Sequence, residues 1–149
     1  NVFATLCDLT IAADTAKFGQ VGPKVGSVDA GWGTALLARH IGDKRAREMW
    51  FLNEMYTAQQ AYEMGLVNKV VPAAELDDAV NAWTDILAER SPTALALAKR
   101  SFNADSENIR GISLLSLNAV KMFYDTEESK EGVRAFTEKR KPDFHKYVK

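Results

Sequence analysis

Cysteine is almost absent from this 149-residue chain: Cys7 stands alone. A lone cysteine excludes an internal disulfide and suits a reducing, cytoplasmic setting. Placed in an apolar run, Cys7 is expected to be a buried, inert thiol. Histidine is scarce too, and neither His40 nor His145 has a second ligand-type residue at metal spacing, so no metal site is expected. No apolar stretch approaches the ~20 residues a membrane span needs, and no secretory leader pattern opens the sequence, so no membrane partner is expected. Neither charge sign dominates. With 19 Lys and Arg against 20 Asp and Glu, the net charge of −1 leaves no cationic excess to displace counterions from nucleic acid. The chain begins in an apolar run with neither Met nor a helix cap, which reads as the back half of a longer protein.

What is present is an ordinary soluble composition, 46% hydrophobic and 26% charged, at the length of one domain. The most informative stretch runs from Phe18 to Gly33, where five glycines and a proline rule out a helix interior or a regular strand. Ser27 and Asp29 lie in it just before a helical pattern starts. A glycine-rich turn opening onto a helix is a candidate wall for a ligand site, and equally a tight turn with a capping aspartate.

Val2 to Cys7 and Leu9 to Ala12 read as a buried strand, with room for a short helical lead-in, and Ala16 to Phe18 as another. From Asp29, apolar residues Trp32, Leu36, Leu37 and Ile41 keep helical spacing up to Gly42. Asp43 caps the next helix through Leu52, Ala58 to Met64 forms a short one, and Leu66 to Val71 is a strand closed by Pro72. Everything beyond Pro72 reads as helix: 75–90 with Leu76, Val80, Trp83 and Leu87 on one stripe, 91–104 started by Ser91-Pro92, 109–124, and a last helix from Asp125-Thr126 that ends before Pro142. Strands first and helices afterwards predict an α/β core with a helical C-terminal part. The final twenty residues hold seven Lys or Arg against three acids, which is either a solvated helix end or an anion site.

These landmarks, taken in order, resemble the C-terminal half of the crotonase (enoyl-CoA hydratase/isomerase) superfamily across essentially the whole chain. The residues that carry the resemblance are Cys7-Asp8-Leu9-Thr10-Ile11-Ala12-Ala13, Thr57-Ala58-Gln59-Gln60-Ala61, Met64-Gly65-Leu66-Val67-Asn68-Lys69-Val70-Val71-Pro72, Ser91-Pro92, and Phe136 to Pro142. The fold it implies is α/β, the C-terminal half of the ClpP/crotonase-like architecture, with short parallel strands followed by a helical region. Residues 1–72 would be the later part of the core with the active-site loop, and 73–149 a helical region for oligomerisation and CoA contact. Trimers, or hexamers made of two trimers, are the implied homo-oligomers, and a CoA thioester is the implied substrate, with no tightly bound cofactor.

Within the superfamily, Ser27-Val28-Asp29 stands where hydratases carry a glutamate. The pattern Gly19-Gln20-x-Gly22-Pro23-Lys24-x-Gly26-Ser27-x-Asp29 resembles two groups that handle a ring ketone β to a thioester. One opens 2-ketocyclohexanecarboxyl-CoA with water. The other, the 1,4-dihydroxy-2-naphthoyl-CoA synthases of menaquinone synthesis, closes a ring. Val21, the run from Arg90 to Asn103, and the tail from Asp143 incline the reading toward ring opening; ring closure, another hydratase/isomerase, and a non-catalytic module remain as alternatives. The resemblance implies Asp29 as general base or water-orienting carboxylate, Ser27 as its hydrogen-bond partner or the substrate's, and Tyr124 as a phenol reaching the site, in the synthases from a neighbouring subunit. Gln20, Gly22 and Trp50 match positions where one synthase class holds bicarbonate as a surrogate base. Phe136 and Lys139 resemble residues that meet the CoA adenine and its 3′-phosphate. The enolate-stabilising N–H donors would lie upstream of Asn1. Plainer readings stand beside these: Asp29 as a helix cap, Tyr124 as an amphipathic helix-end residue, Trp50 as core, and Phe136 as an oligomer contact.

Overall fold

Two short pairs of strands bring distant parts of the chain together. In the computed structural model, which describes residues 1–29 and 32–148, β1 (Ile11–Ala13) lies parallel to β4 (Lys69–Val71), with Ala12 opposite Val70. A second pair, β2 (Lys17–Phe18) and β3 (Tyr56–Thr57), runs antiparallel. Ala30 and Gly31 of the glycine-rich stretch, and Lys149 of the tail, lie outside the described residues. Between the strands lie α1 (Val2–Leu6), α2 (Ala35–Ile41), α3 (Asp43–Leu52) and α4 (Ala58–Glu63). Leu37, Ile41, Met49 and Trp50 from α2 and α3 meet Ala58, Ala61, Leu66 and Val67 in one buried cluster with Ala12 and Phe18.

The helix boundaries follow from local chemistry. Gly42 closes α2, its N–H reaching the Ala38 carbonyl at 2.9 Å, and its own carbonyl starts α3. Thr57 opens α4 with a reciprocal cap: its hydroxyl accepts from the Gln60 N–H, and the Gln60 side chain accepts from the Thr57 N–H. After Pro72 come α5 (Leu76–Ala88), α6 (Pro92–Ala104), α7 (Ile112–Tyr124) and α8 (Glu127–Thr137), with 3-10 turns before α5 (Ala73–Glu75) and between α6 and α7 (Glu107–Ile109). Ser91 and Thr126 cap α6 and α8 through their hydroxyls. Short strands followed by helices is the expected α/β class, and among the described residues no helix is long and apolar enough to cross a membrane.

Four expectations need correction. Val2 to Leu6 is helical, because the Thr5 and Cys7 amides find carbonyls four residues back and, among the described residues, no strand lies alongside to pair with them. The β-forming tendency of valine, phenylalanine and threonine is weak without such a neighbour. Cys7 is exposed, since it follows the last turn of that helix rather than facing the core. The strand before Pro72 shrinks to Lys69–Val71, because Leu66 and Val67 turn into the core on bonds to the Ala61 carbonyl. In α5 the predicted stripe is only half covered: Ala79 is buried, whereas Val80 and Leu87 stay exposed.

The middle of α8 holds the tail by one carboxylate. Glu131, 3% exposed, takes a two-pronged pair of bonds from the Arg140 guanidinium at 2.6 and 3.1 Å and a third from the Asp143 N–H. The Arg140 bonds, then the Asp143 N–H, hold its acid well below the usual range, at about 2. A depressed carboxylate stabilises the fold fully above its unfolded value near 4.5, and that contribution is lost as pH falls toward 2. Glu131→Gln is therefore expected to melt below wild type near neutral pH, with the gap closing in acid. Melting curves of both proteins across that range check this; a gap independent of pH would count against it.

Candidate active site

The turn after Gln20 is built on its own backbone. The Gly22 carbonyl accepts from the Val25 and Ser27 amides, at 3.1 and 2.8 Å, and Val25 is the last residue of a 3-10 turn (Pro23–Val25). A methyl on Gly22 would stand 3.1 Å from both the Ser27 carbonyl oxygen and the Trp50 ring, so glycine lets the turn lie flat on the indole. Trp50 is also a core residue, and its indole N–H donates to the Gly33 carbonyl. Gln20 is 7% exposed; its backbone carbonyl accepts from the Asn53 side-chain amide, while its own side-chain nitrogen is buried with no partner among the described residues.

Ser27 and Tyr124, 97 residues apart, meet directly: their hydroxyl oxygens are 2.7 Å apart. Tyr124 is the last residue of α7, and it reaches Ser27 of its own chain. Asp29 turns elsewhere. One of its oxygens accepts from the Gly33 N–H at 3.1 Å, and the other from the Thr34 N–H and hydroxyl at 3.0 and 2.8 Å. Asp29 thus organises the approach to α2, and among the described residues no hydrogen bond joins it to Ser27.

The two hydroxyls open onto a cleft of about 780 Å³ between this turn and α8. Val21, Val25, Val133 and Phe136 give it apolar walls, and Ser129, Lys130 and Arg134 complete the lining. Of the expected site residues, Ser27, Tyr124 and Phe136 share this cleft; Gly22 packs against both the Trp50 ring and the Ser27 backbone. Lys139 lies one turn beyond Phe136, at the end of α8, in a left-handed conformation (φ 53°) that lets the Arg140 N–H reach the Ala135 carbonyl. The part played by α8 was not anticipated. Its one visible signal is Gly132, a glycine inside an otherwise charged amphipathic helix, which points to a close approach by another segment.

The fold and the cleft define an α/β chain with a hydroxyl pair beside an apolar cavity of ligand size. The family model described as enoyl-CoA hydratase/isomerase matches residues 1–147, and the chain belongs to that family. Solved structures agree. Carnitinyl-CoA hydratase from Mycobacterium avium is 28% identical with a TM-score of 0.85, over 94% of this chain and 55% of that one. An enoyl-CoA hydratase from Mycobacterium avium subsp. paratuberculosis K-10 is 28% identical with a TM-score of 0.88, over 94% and 57%. Methylmalonyl-CoA decarboxylase in complex with 2-nitronate-propionyl-CoA is 31% identical with a TM-score of 0.78, over 94% and 55%. The chain thus spans about half the length of these solved relatives.

The three bonds to Asp29 make a stability prediction separate from any chemistry. Asp29→Ala is expected to cost about 1–2 kcal/mol, because it strips the acceptor from the Gly33 and Thr34 amides that precede α2. Ser27→Ala, whose partner Tyr124 is 51% exposed, should cost less than about 0.5 kcal/mol. Denaturant titration of the two variants decides it, and equal losses would show that Asp29 does not anchor the start of α2.

Proposed function

We propose that this chain forms one wall of an acyl-CoA active site working through a thioester enolate, and that its reaction is the hydrolytic opening of 2-ketocyclohexanecarboxyl-CoA to pimeloyl-CoA. The observation that carries this reading is the 2.7 Å contact between the Ser27 and Tyr124 hydroxyls at an apolar cleft. A phenol next to a serine hydroxyl suits proton delivery to an enolate, and apolar walls suit a cyclohexane ring. Ser27-Val28-Asp29, standing where hydratases have glutamate, supports a departure from simple hydration.

Water attacks the ring ketone carbon and gives a proton to Asp29, whose carboxylate must first leave its Gly33 and Thr34 donors to face the cleft. Collapse of the adduct forms the carboxyl group and breaks the bond to the α-carbon, whose electron pair becomes the thioester enolate. Tyr124, with Ser27 beside it, then protonates that carbon; the proton taken by Asp29 restores the phenol, and the new carboxyl group releases the other proton to solvent. The enolate oxygen requires preorganised N–H donors. On this reading they belong to a preceding half of the fold, in keeping with relatives about twice as long. Phe136 and Lys139 would meet the CoA adenine and 3′-phosphate, and the exposed apolar side chains of α6 and α7 would be covered by other subunits of a trimer or hexamer.

Asp29→Asn, made in the complete enzyme, is expected to lower kcat by more than ~100-fold with KM nearly unchanged, beyond what its stability loss explains. With isotopically labelled water, wild type should place one labelled oxygen in the new carboxylate of pimeloyl-CoA, followed by mass spectrometry. A naphthoyl product from o-succinylbenzoyl-CoA, with the cyclohexane substrate left intact, would transfer the assignment to ring closure. Wild-type turnover by Asp29→Asn would leave Asp29 as a cap only.

A further inference from the structure

One helix touches both the turn that carries Ser27 and the hairpin that carries Tyr124. Thr126, two residues after Tyr124, caps α8: its hydroxyl donates to the Phe123 carbonyl at 2.6 Å and accepts from the Ser129 N–H at 3.2 Å. Ser129, itself 2% exposed, then donates its hydroxyl to the Gly26 carbonyl at 2.9 Å, the peptide that leads into Ser27. One turn on, Gly132 lies directly on the same segment. A methyl on Gly132 would overlap the Val25 carbonyl oxygen and stand 2.6 Å from the nitrogen and α-carbon of Gly26. From the other side, a methyl on Gly26, which has φ +70°, would meet the Gly132 α-carbon and the Ser129 carbonyl oxygen at 3.0 Å. Backbone therefore packs on backbone with no side chain between to give way.

We infer that Ser129 and Gly132 are positioning residues: they clamp α8 to the Val25–Gly26 peptide and so set the separation of the Ser27 and Tyr124 hydroxyls. The contacts form a closed ring, from Tyr124 through Thr126, Ser129 and Gly26 to Ser27 and back to Tyr124. Ser129→Ala opens it by deleting the donor to a buried carbonyl, and Gly132→Ala opens it by forcing helix and turn apart. Either change alters the hydroxyl geometry without touching either hydroxyl. The catalytic importance of that geometry rests on the proposed function, whereas the clamp itself does not.

The test therefore has a readout that needs no substrate. With 3-fluorotyrosine placed at position 124 of the full-length protein, Ser27→Ala shifts the fluorine NMR signal by removing the neighbouring hydroxyl. Ser129→Ala and Gly132→Ala are expected to shift it in the same sense. A signal that moves in Ser27→Ala and stays in place in both clamp variants overturns the inference; if Gly132→Ala fails to fold, Ser129→Ala alone decides. Turnover of 2-ketocyclohexanecarboxyl-CoA gives the second arm. Each clamp variant should lose roughly 10- to 100-fold in kcat, as small misplacements of reacting groups do. In a Tyr124→Phe background that loss should vanish, whereas a merely structural role would persist as an additive loss and count against the clamp. Wild type inactive on this substrate, with the fluorine shifts as expected, would remove the proposed reaction and leave the clamp standing.

Discussion

A segment rich in glycine has few side chains with which to hold itself, so its shape is imposed by whatever packs against it. That constraint governs residues 19–29 and 32–34. Groups from outside the turn supply the hold, among them the Trp50 indole on the Gly33 carbonyl, the Asn53 side chain on the Gln20 carbonyl, the Ser129 hydroxyl on the Gly26 carbonyl, and the α8 backbone on Val25 and Gly26. Asp29 adds another from within, through Gly33 and Thr34. Trp50 belongs to the core that α2, α3 and the strands enclose, while Ser129 belongs to a helix more than a hundred residues downstream. The turn is thus pinned between two parts of the chain that have few other reasons to agree on its position. Its local order depends on the whole fold being in place.

Electrostatics contributes to this hold at one place above all. Many ion pairs lie on the surface, among them Arg47 with Asp43 and Lys130 with Glu127, and exposed pairs of this kind stabilise little. Glu131 differs because its side chain is buried and its oxygens are met by the planar guanidinium of Arg140 and by a backbone N–H. Removing one partner would leave a charge without compensation, which is far more costly than losing a surface pair. Arg140 in turn sits just beyond the left-handed Lys139 that ends α8. The carboxylate therefore sets where the helix stops and where the tail folds back, with Tyr147 donating to the Glu127 carbonyl to finish the strap.

How much of this was legible in the sequence depends on the range over which each feature is decided. Ser91-Pro92 and Gly42 announced helix boundaries correctly because capping is settled within a few residues. The segment from Val2 to Cys7 misled because strand and helix differ there only by the presence of a pairing neighbour, and that neighbour is nowhere in the local sequence. At the candidate site, Ser27 and Tyr124 were each singled out from the family resemblance. Their contact was not foreseen, since Ser27 had been expected to face Asp29 or substrate, and a bond across 97 residues leaves no local trace. Ser129 passed unnoticed for the same reason. An ordinary serine in a charged helix gains its meaning only once Gly26 lies against it.

The helices after Pro72 pose a different problem, one of where their stability comes from. α6 and α7 each run thirteen residues, and neither has a buried side chain among them. An isolated helix of about that length is marginal in water even when its residues favour helix, because nucleation fixes several dihedrals for one hydrogen bond. Yet Leu97, Phe102, Leu114, Leu115 and Met122 stand exposed along them, the kind of side chains that elsewhere in this chain fill the core. A solvated pair of helices would gain nothing from such residues and would be better served by charged ones. Covering them would supply the tertiary packing that the helices lack on their own, and would also stiffen α7, whose last residue is Tyr124. The proposed assembly and the proposed site are therefore linked: the same association that shelters the apolar faces would hold the phenol against Ser27.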